Sequence, residues 1–339
     1  MQTPQHDVGA DVTPELAASL EPALRDVVLR YPLPAATSGF DVFSEVIEIN
    51  ELRVHAFGIS TTTEALGVVA GSAAELRRAP RERAYFELLE RAVIMESRGL
   101  RERSDADEDS EHARNKLSLS NGVALHSTWR DATRSAALEI VERDRVLRSW
   151  YGGARPERIS TNLGSWSVRL SGEYELSVVR FRVGVDLVDE RATVVGIIAF
   201  PRSSHAPLSM GFAARGSVDE ALQAASRELL QQIAFGWGEP VPSESPVAAP
   251  TPEFHLDFYA YPGHHALLRD WLDGKHEGRG PALPEVAGAF RFTDITPSWM
   301  SKELCVVRAE HPSAVPLVFG LGHPWFPELP ECMRVQPVA

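Results

Sequence analysis

The 339-residue sequence predicts an α+β fold in which helices are interspersed with strands of a mixed, largely antiparallel sheet. Three observations carry that expectation. Segments 78–99, 127–144 and 216–236 repeat apolar residues at helical spacing behind a capping residue or a proline. Segments 42–60, 174–188 and 192–201 alternate apolar and polar side chains and are rich in β-branched residues. The two kinds follow one another without the regular alternation of a parallel βαβ sheet.

Along the chain, residues 1–12 read as a loose polar tail. "TPELAASLEPALRDVVLRY" (13–31) reads as a helix with Thr13 as N-cap and Pro14 at its first position. Residues 1–40 are thus expected to be a tail and helix, and 41–339 a single domain. The strands 174–188 and 192–201 are expected to form a hairpin around "DER" (189–191). "ERSDADEDSEHARN" (102–115) is an acidic run with no apolar residue larger than alanine, read as a solvated loop. "GEPVPSESPVAAPTPEF" (238–254) reads as a Pro-rich linker or surface loop within the domain. A helix near 264–274 and a strand near 302–310 complete the series.

A hydrophobic fraction of 44 % and a charged fraction of 24 % are those of an ordinary globular protein. The formal charge of −13 argues against an exposed nucleic-acid-binding face, which needs basic surface to displace counterions. Cys305 and Cys332 form no CxxC pair or disulfide framework, which fits a reducing compartment. The N-terminus lacks the basic and apolar regions of a signal peptide, and no apolar run is long enough to span a bilayer. A cytoplasmic protein bound to neither membrane nor nucleic acid is expected. The cysteines are too few for a zinc site, and the adjacent His264 and His265 face apart on a helix. No P-loop and no G-x-S-x-G motif is present.

The three long helical segments share a device: "ELLER" (87–91), "EIVER" (139–143) and "ELLQQ" (228–232). Their unequal separations exclude a solenoid repeat. Residues i, i+3 and i+4 share one helical face, so Glu87, Glu90 and Arg91 project together, as do Glu139, Glu142 and Arg143. The intervening Leu, Ile and Val residues anchor the adjoining face, which puts the acids at the core boundary. Taken singly, each segment also reads as an ordinary solvated helix face. If the three faces converge, two carboxylates ~6 Å apart repel by about 3 kcal/mol at an effective dielectric near 20. A divalent ion is the natural countercharge; carboxylate oxygens suit Mg²⁺, and a neighbouring arginine suits phosphate.

These segments resemble the ATP-binding helices of the YcaO superfamily, with patterns S-x3-E-x2-E-R, S-x3-E-x2-E and Q-x3-E-x2-Q. Ser135, Glu139 and Glu142 meet the second in full. Glu87, Glu90 and Arg91 meet the first, with Arg83 at the Ser position; Glu228 and Gln231 meet the third, with Ala224 at the leading Gln. "LSNGVALHSTWRDA" (119–132) is similar to the family's S-N-G-x-A-x-G-x-T lead-in, and the segments 255–272 and 292–317 to its later helix and strands. The resemblance runs in order over roughly residues 45–320, in what looks like a shortened and partly divergent member.

The resemblance implies a YcaO-like fold that activates peptide backbone amides by O-phosphorylation with ATP and Mg²⁺. Azoline (thiazoline or oxazoline) cyclodehydration in the biosynthesis of ribosomal peptide natural products is the leading expectation. It further implies Glu87, Glu90, Glu139, Glu142 and Glu228 as Mg²⁺ ligands, Arg91 and Gln231 as phosphate contacts, and Asn121 and Ser135 as nucleotide or supporting contacts. The implied partners are a precursor peptide and a separate leader-binding or partner subunit, and a homo-oligomer is compatible. No residue is singled out as catalytic. Besides Arg83 and Ala224, the chain departs from the pattern at Ser72, where the family has Lys after Gly, in the short stretch between Arg91 and Asn121, and in its C-terminal tail. Two alternatives stay open: a scaffold subunit with weakened catalysis that binds peptide or an active partner, and thioamide or amidine formation by the same activation.

Overall fold

The computed structural model describes residues 15–33, 38–64, 66–104, 120–152, 154–187, 191–204, 206–275, 283, 285–326 and 328–338. Beyond Ser104, the acidic run expected at 102–115 lies outside these residues, as do Thr13 and Pro14.

Three antiparallel sheets carry the fold. The first joins β1 (Asp41–Ile49), β2 (Leu52–Thr63) and β3 (Gly67–Glu75). The second places β10 (Cys305–Glu310) between β4 (Val123–His126) and β9 (Arg291–Asp294). The third is ordered β5 (Glu157–Arg158), β6 (Tyr174–Phe181), β7 (Thr193–Pro201), β8 (Ser209–Arg215). The β-branched stretch 42–60 thus divides into two strands. Asn50 and Glu51, both at positive φ (45° and 67°), turn the chain so that Ile49 pairs with Leu52. Two positive φ values in a two-residue loop match the right-handed twist of a hairpin.

The long helices are α2 (Arg81–Ser104), α3 (Trp129–Gly152) and α5 (Val218–Gly236). Thr128 accepts the amide of Asp131 at 3.1 Å and Ser217 that of Glu220 at 3.3 Å, so both helices are capped by a side chain. The first helix, α1 (Pro22–Arg30), does not begin at Thr13. Pro22 has no N–H to donate and its ring clashes with the preceding turn, so a helix can start there but not run through; Glu15–Leu20 form turns instead. Two further short helices are α4 (Ser165–Leu170) and α6 (Pro252–Ala260), and α7 (His265–Asp273) follows a 3₁₀ turn at Pro262–His264.

Strand β7 sets the layers. Val194, Ile198 and Phe200 enter one core with α3, α6 and α7, while Val195, Ile197 and Ala199 enter another with α5 and the β1–β2 sheet. A strand buried on both faces reads as a continuous apolar run, as "TVVGIIAF" does. A third core lies between α1, α2, β3 and β10. Helices α2, α3 and α5 therefore each press one face onto sheet, and their acidic faces border the space between these cores. Among the described residues no helix is long and apolar enough to cross a membrane.

Candidate functional site

Each of the three helices hooks a strand by its acids. On α2, Glu87 accepts the amide of Ser72 on β3 at 3.3 Å, and Glu90 that of Leu125 on β4 at 2.9 Å. On α3, Glu139 accepts from the amides of Gly122 and Val123. On α5, Glu228 accepts the amide of Phe212 on β8 at 2.8 Å, and Gln232 that of Met210 at 2.8 Å. Close approach of helix to strand makes this possible. A Cβ on Gly71 would run into the Ala84 carbonyl and the Leu88 amide; one on Gly211 would meet the Ala225 carbonyl and the Leu229 amide. These hooks explain why acids belong beside the apolar residues of these helices.

The five carboxylates expected as metal ligands are thereby brought to one region. Burial pushes Glu90 up to about 8, with the Glu139 charge adding to it and the Leu125 hydrogen bond opposing. Desolvation raises Glu139 and Glu87 as well, each opposed first by its ion pair, with Arg143 and Arg91 respectively. Glu142 is raised well above the ordinary range by desolvation and then by Glu228, and Glu228 is raised by desolvation against its bond from Phe212. Glu142 has no hydrogen-bonded partner among the described residues. Protein surrounds these groups, yet Glu228 stays exposed and the side chains of Glu87 and Glu139 keep about a quarter of their surface (26 % and 25 %). None of the five is sealed in the core.

Glu142 and Glu228 line a cavity of about 220 Å³ together with Arg83, Arg215, Arg227 and Ala224. Sequence reasoning did not select Arg215 or Arg227, which stand at the end of β8 and directly before Glu228; Arg83 it met only as a departure from a motif. A cavity of about 770 Å³ lies alongside, lined by Arg227, Trp166, Asn162 and Gln223 among others.

The other expected contacts are placed as follows. Arg91 pairs with Glu87 at 2.6 Å and donates to the Ala70 carbonyl at 3.3 Å. Gln231 accepts from Arg83 at 2.6 Å and donates to the Ser72 carbonyl at 3.3 Å. Asn121 accepts from Arg143 at 3.1 Å, and Arg143 pairs with Glu139 at 2.7 Å, so Asn121 reaches the carboxylates through that guanidinium. Ser135 lies 3.0 Å from His126 Nε2. Asp144, next along α3, faces the other way: it is fully buried and accepts from Val185 (2.7 Å), Val315 (2.8 Å) and Arg148 (2.9 Å). The acids of α3 therefore divide between cleft and core. His264 and His265 bond the carbonyls of Phe258 (2.8 Å) and Tyr259 (3.0 Å).

The YcaO family model, described as a cyclodehydratase binding ATP and Mg²⁺, matches residues 102–257, which include α3 and α5. YcaO from Methanopyrus kandleri, solved with AMPPCP and Mg²⁺, superposes with a TM-score of 0.55 at 16 % identity, over 86 % of this chain and 89 % of that one. The E. coli microcin synthetase McbBCD complex gives 0.48 at 11 % identity over 83 % and 89 %. A heterocyclase solved with substrate and cofactor gives 0.38 at 17 % identity over 57 % of this chain and 28 % of that one. No curated protein matches the sequence. Over residues 102–257 the chain is thus similar in sequence to the YcaO family, and over most of its length it is similar in fold to YcaO from Methanopyrus kandleri.

Proposed function

We propose that the protein binds Mg²⁺·ATP in the cleft between α2, α3 and α5 and uses it to activate backbone amides of a precursor peptide, with azoline formation as the reaction. One observation carries the reading. The cavity that holds the unpartnered carboxylate of Glu142 beside Glu228 is also lined by three guanidiniums. Carboxylates and guanidiniums at one small cavity complement a metal–polyphosphate pair, which brings charge of both signs.

The donor set fits Mg²⁺. That ion takes one or two carboxylates and keeps water and phosphate oxygens in its other positions. Among the described residues no three His, Cys, Asp or Glu side chains are grouped as ligands of a single ion, so an all-protein cage is absent, and Mg²⁺ does not need one. Of Glu87, Glu90, Glu139, Glu142 and Glu228, one or two would ligate a given ion directly and the others would hold it through its waters. Bound there, it supplies charge neutralisation for the phosphates.

The chain's own task is positioning. Gln231 is fixed between Arg83 and Ser72, and Asn121 and Arg143 brace Glu139. In azoline formation the thiol or hydroxyl of a Cys, Ser or Thr adds to the preceding amide carbon and loses its proton. The carbonyl oxygen, now an alkoxide, takes the γ-phosphoryl group and ADP leaves. The C–O bond then breaks with phosphate as the leaving group, and the nitrogen gives up its proton as C=N forms. Sulfide or a peptide amine in place of the side chain gives a thioamide or an amidine. As the resemblance implies, a separate subunit recruits the peptide.

That no three acids are grouped among the described residues favours a second reading, a scaffold that binds peptide or an active partner without turning over ATP. Titration with Mn²⁺ in place of Mg²⁺, followed by electron paramagnetic resonance with a non-hydrolysable ATP analogue present, separates the two. The enzyme reading expects bound Mn²⁺ that is lost in Glu142→Gln. Equal Mn²⁺ signals with and without protein support the scaffold.

A further inference from the structure

We propose that Arg83 and Arg227 form a clamp for the nucleotide's phosphate chain, an inference that rests on the Mg²⁺·ATP reading above. Both line the 220 Å³ cavity with Glu142 and Glu228. Its volume is below the roughly 300–1,000 Å³ of pockets that enclose a whole small ligand, so it takes part of one. Arg227 also borders the adjoining 770 Å³ cavity, into which the rest of a nucleotide can extend.

Arg83 is held ready. Its Nη2 donates to Gln231 at 2.6 Å, and its Nη1 stands 3.6 Å from Glu75. A guanidinium has five N–H donors in a planar fork, so these contacts leave donors for phosphate oxygens. Arg227 is exposed and has no hydrogen bond or ion pair among the described residues. The two guanidiniums repel each other, and an anion between them relieves that repulsion.

The two motif positions at which the sequence departs from its pattern meet here. Arg83 and Ala224 line the same cavity. Where the third motif opens with a long Gln, Ala224 ends at Cβ and leaves room for the guanidinium. The departures thus act as one exchange, which adds a positive charge to the cleft.

Titration calorimetry of the full chain with Mg²⁺·ATP, and with Mg²⁺·tripolyphosphate as a probe without a nucleoside, tests the clamp. Arg83→Ser and Arg227→Ser should each weaken both ligands by about tenfold or more, the loss expected for a charge-assisted hydrogen bond. Arg83→Lys, which keeps the charge without the fork, should lose less than Arg83→Ser. Arg78→Ser, in a separate cavity that also borders Arg83, should bind as the parent does. Arg227 has no partner to lose, so weaker binding in its variant has no structural explanation, and circular-dichroism melts check the fold of each. Unchanged or tighter binding in Arg83→Ser and Arg227→Ser, with the parent binding Mg²⁺·ATP, overturns the clamp and leaves the function reading standing. A folded parent that binds no Mg²⁺·ATP overturns both.

Discussion

The carboxylate of Glu228 accepts the amide of Phe212 at 2.8 Å, and Glu87 accepts that of Ser72 at 3.3 Å. Each strand residue follows a glycine, Gly211 or Gly71, against which the helix backbone lies. The two antiparallel ribbons β1–β2–β3 and β6–β7–β8 therefore present their third strand to a helix in the same way.

That close approach leaves no room for a side chain. Gly71→Ala and Gly211→Ala should each destabilise the protein by about 3 kcal/mol, at the upper end of overpacking costs. Denaturant unfolding of both variants reads this directly; a loss below 1 kcal/mol would mean that helix and strand part easily.

Asp144 distinguishes core from cleft on one helix. Asp144→Ala takes the acceptor from the amides of Val185 and Val315 and the countercharge from Arg148, which keeps its bond to the Ser313 carbonyl. It should cost about 3–5 kcal/mol, the range for breaking a buried charge pair. Glu142→Gln should leave stability nearly unchanged or raise it, because a neutral group replaces a desolvated carboxylate. Thermal melts of the two variants at one pH make the comparison.

How far the sequence disclosed this arrangement depends on the range of the interactions. The i, i+3, i+4 spacing of Glu139, Glu142 and Arg143 is local and puts them on one face, and the caps at Thr128 and Ser217 are local too. Strand β8 went unmarked, because "SMGFAAR" is short and its glycine matters only through α5. Arg215 and Arg227 went unmarked because what singles them out is a cavity, which requires the third dimension. The family motifs supplied Glu228 and Gln231, whose segment alone reads as an exposed helix face. The break at Pro22 is legible in the sequence, because a proline can open a helix but not continue one.

His255 ties α6 to the C-terminal segment. Its Nε2 accepts the Gly320 amide at 2.9 Å and its Nδ1 donates to the Gln336 carbonyl at 3.1 Å. Burial depresses its pKa to about 4 from 6.5, with the bond to the Gln336 carbonyl opposing. The folded state thus holds the neutral ring. The stability it confers is present above pH 6.5 and is lost as pH falls toward 4, by about 3 kcal/mol in all. His255→Gln should flatten that part of the stability–pH curve. An unchanged curve would show that His255 does not titrate with unfolding.

The cleft should couple cation binding to protons. Glu90, held up to about 8, is largely protonated at pH 7 without a cation. Mg²⁺ favours the carboxylate, so binding of Mg²⁺·ATP should release up to about one proton at pH 7 and tighten as pH rises toward 8. Calorimetry in buffers of different ionisation enthalpy counts the protons. Zero release would place the cation away from Glu90.

The central claim is that carboxylates hooked from helix to strand hold a nucleotide-bound cation. Titration calorimetry with ATP, with and without Mg²⁺, on the parent and on Glu139→Gln tests it most directly. Mg²⁺-dependent binding is expected in the parent, and its loss in a variant that melts within a few degrees of the parent. Undiminished Mg²⁺·ATP binding in folded Glu139→Gln, or none in the folded parent, would contradict it.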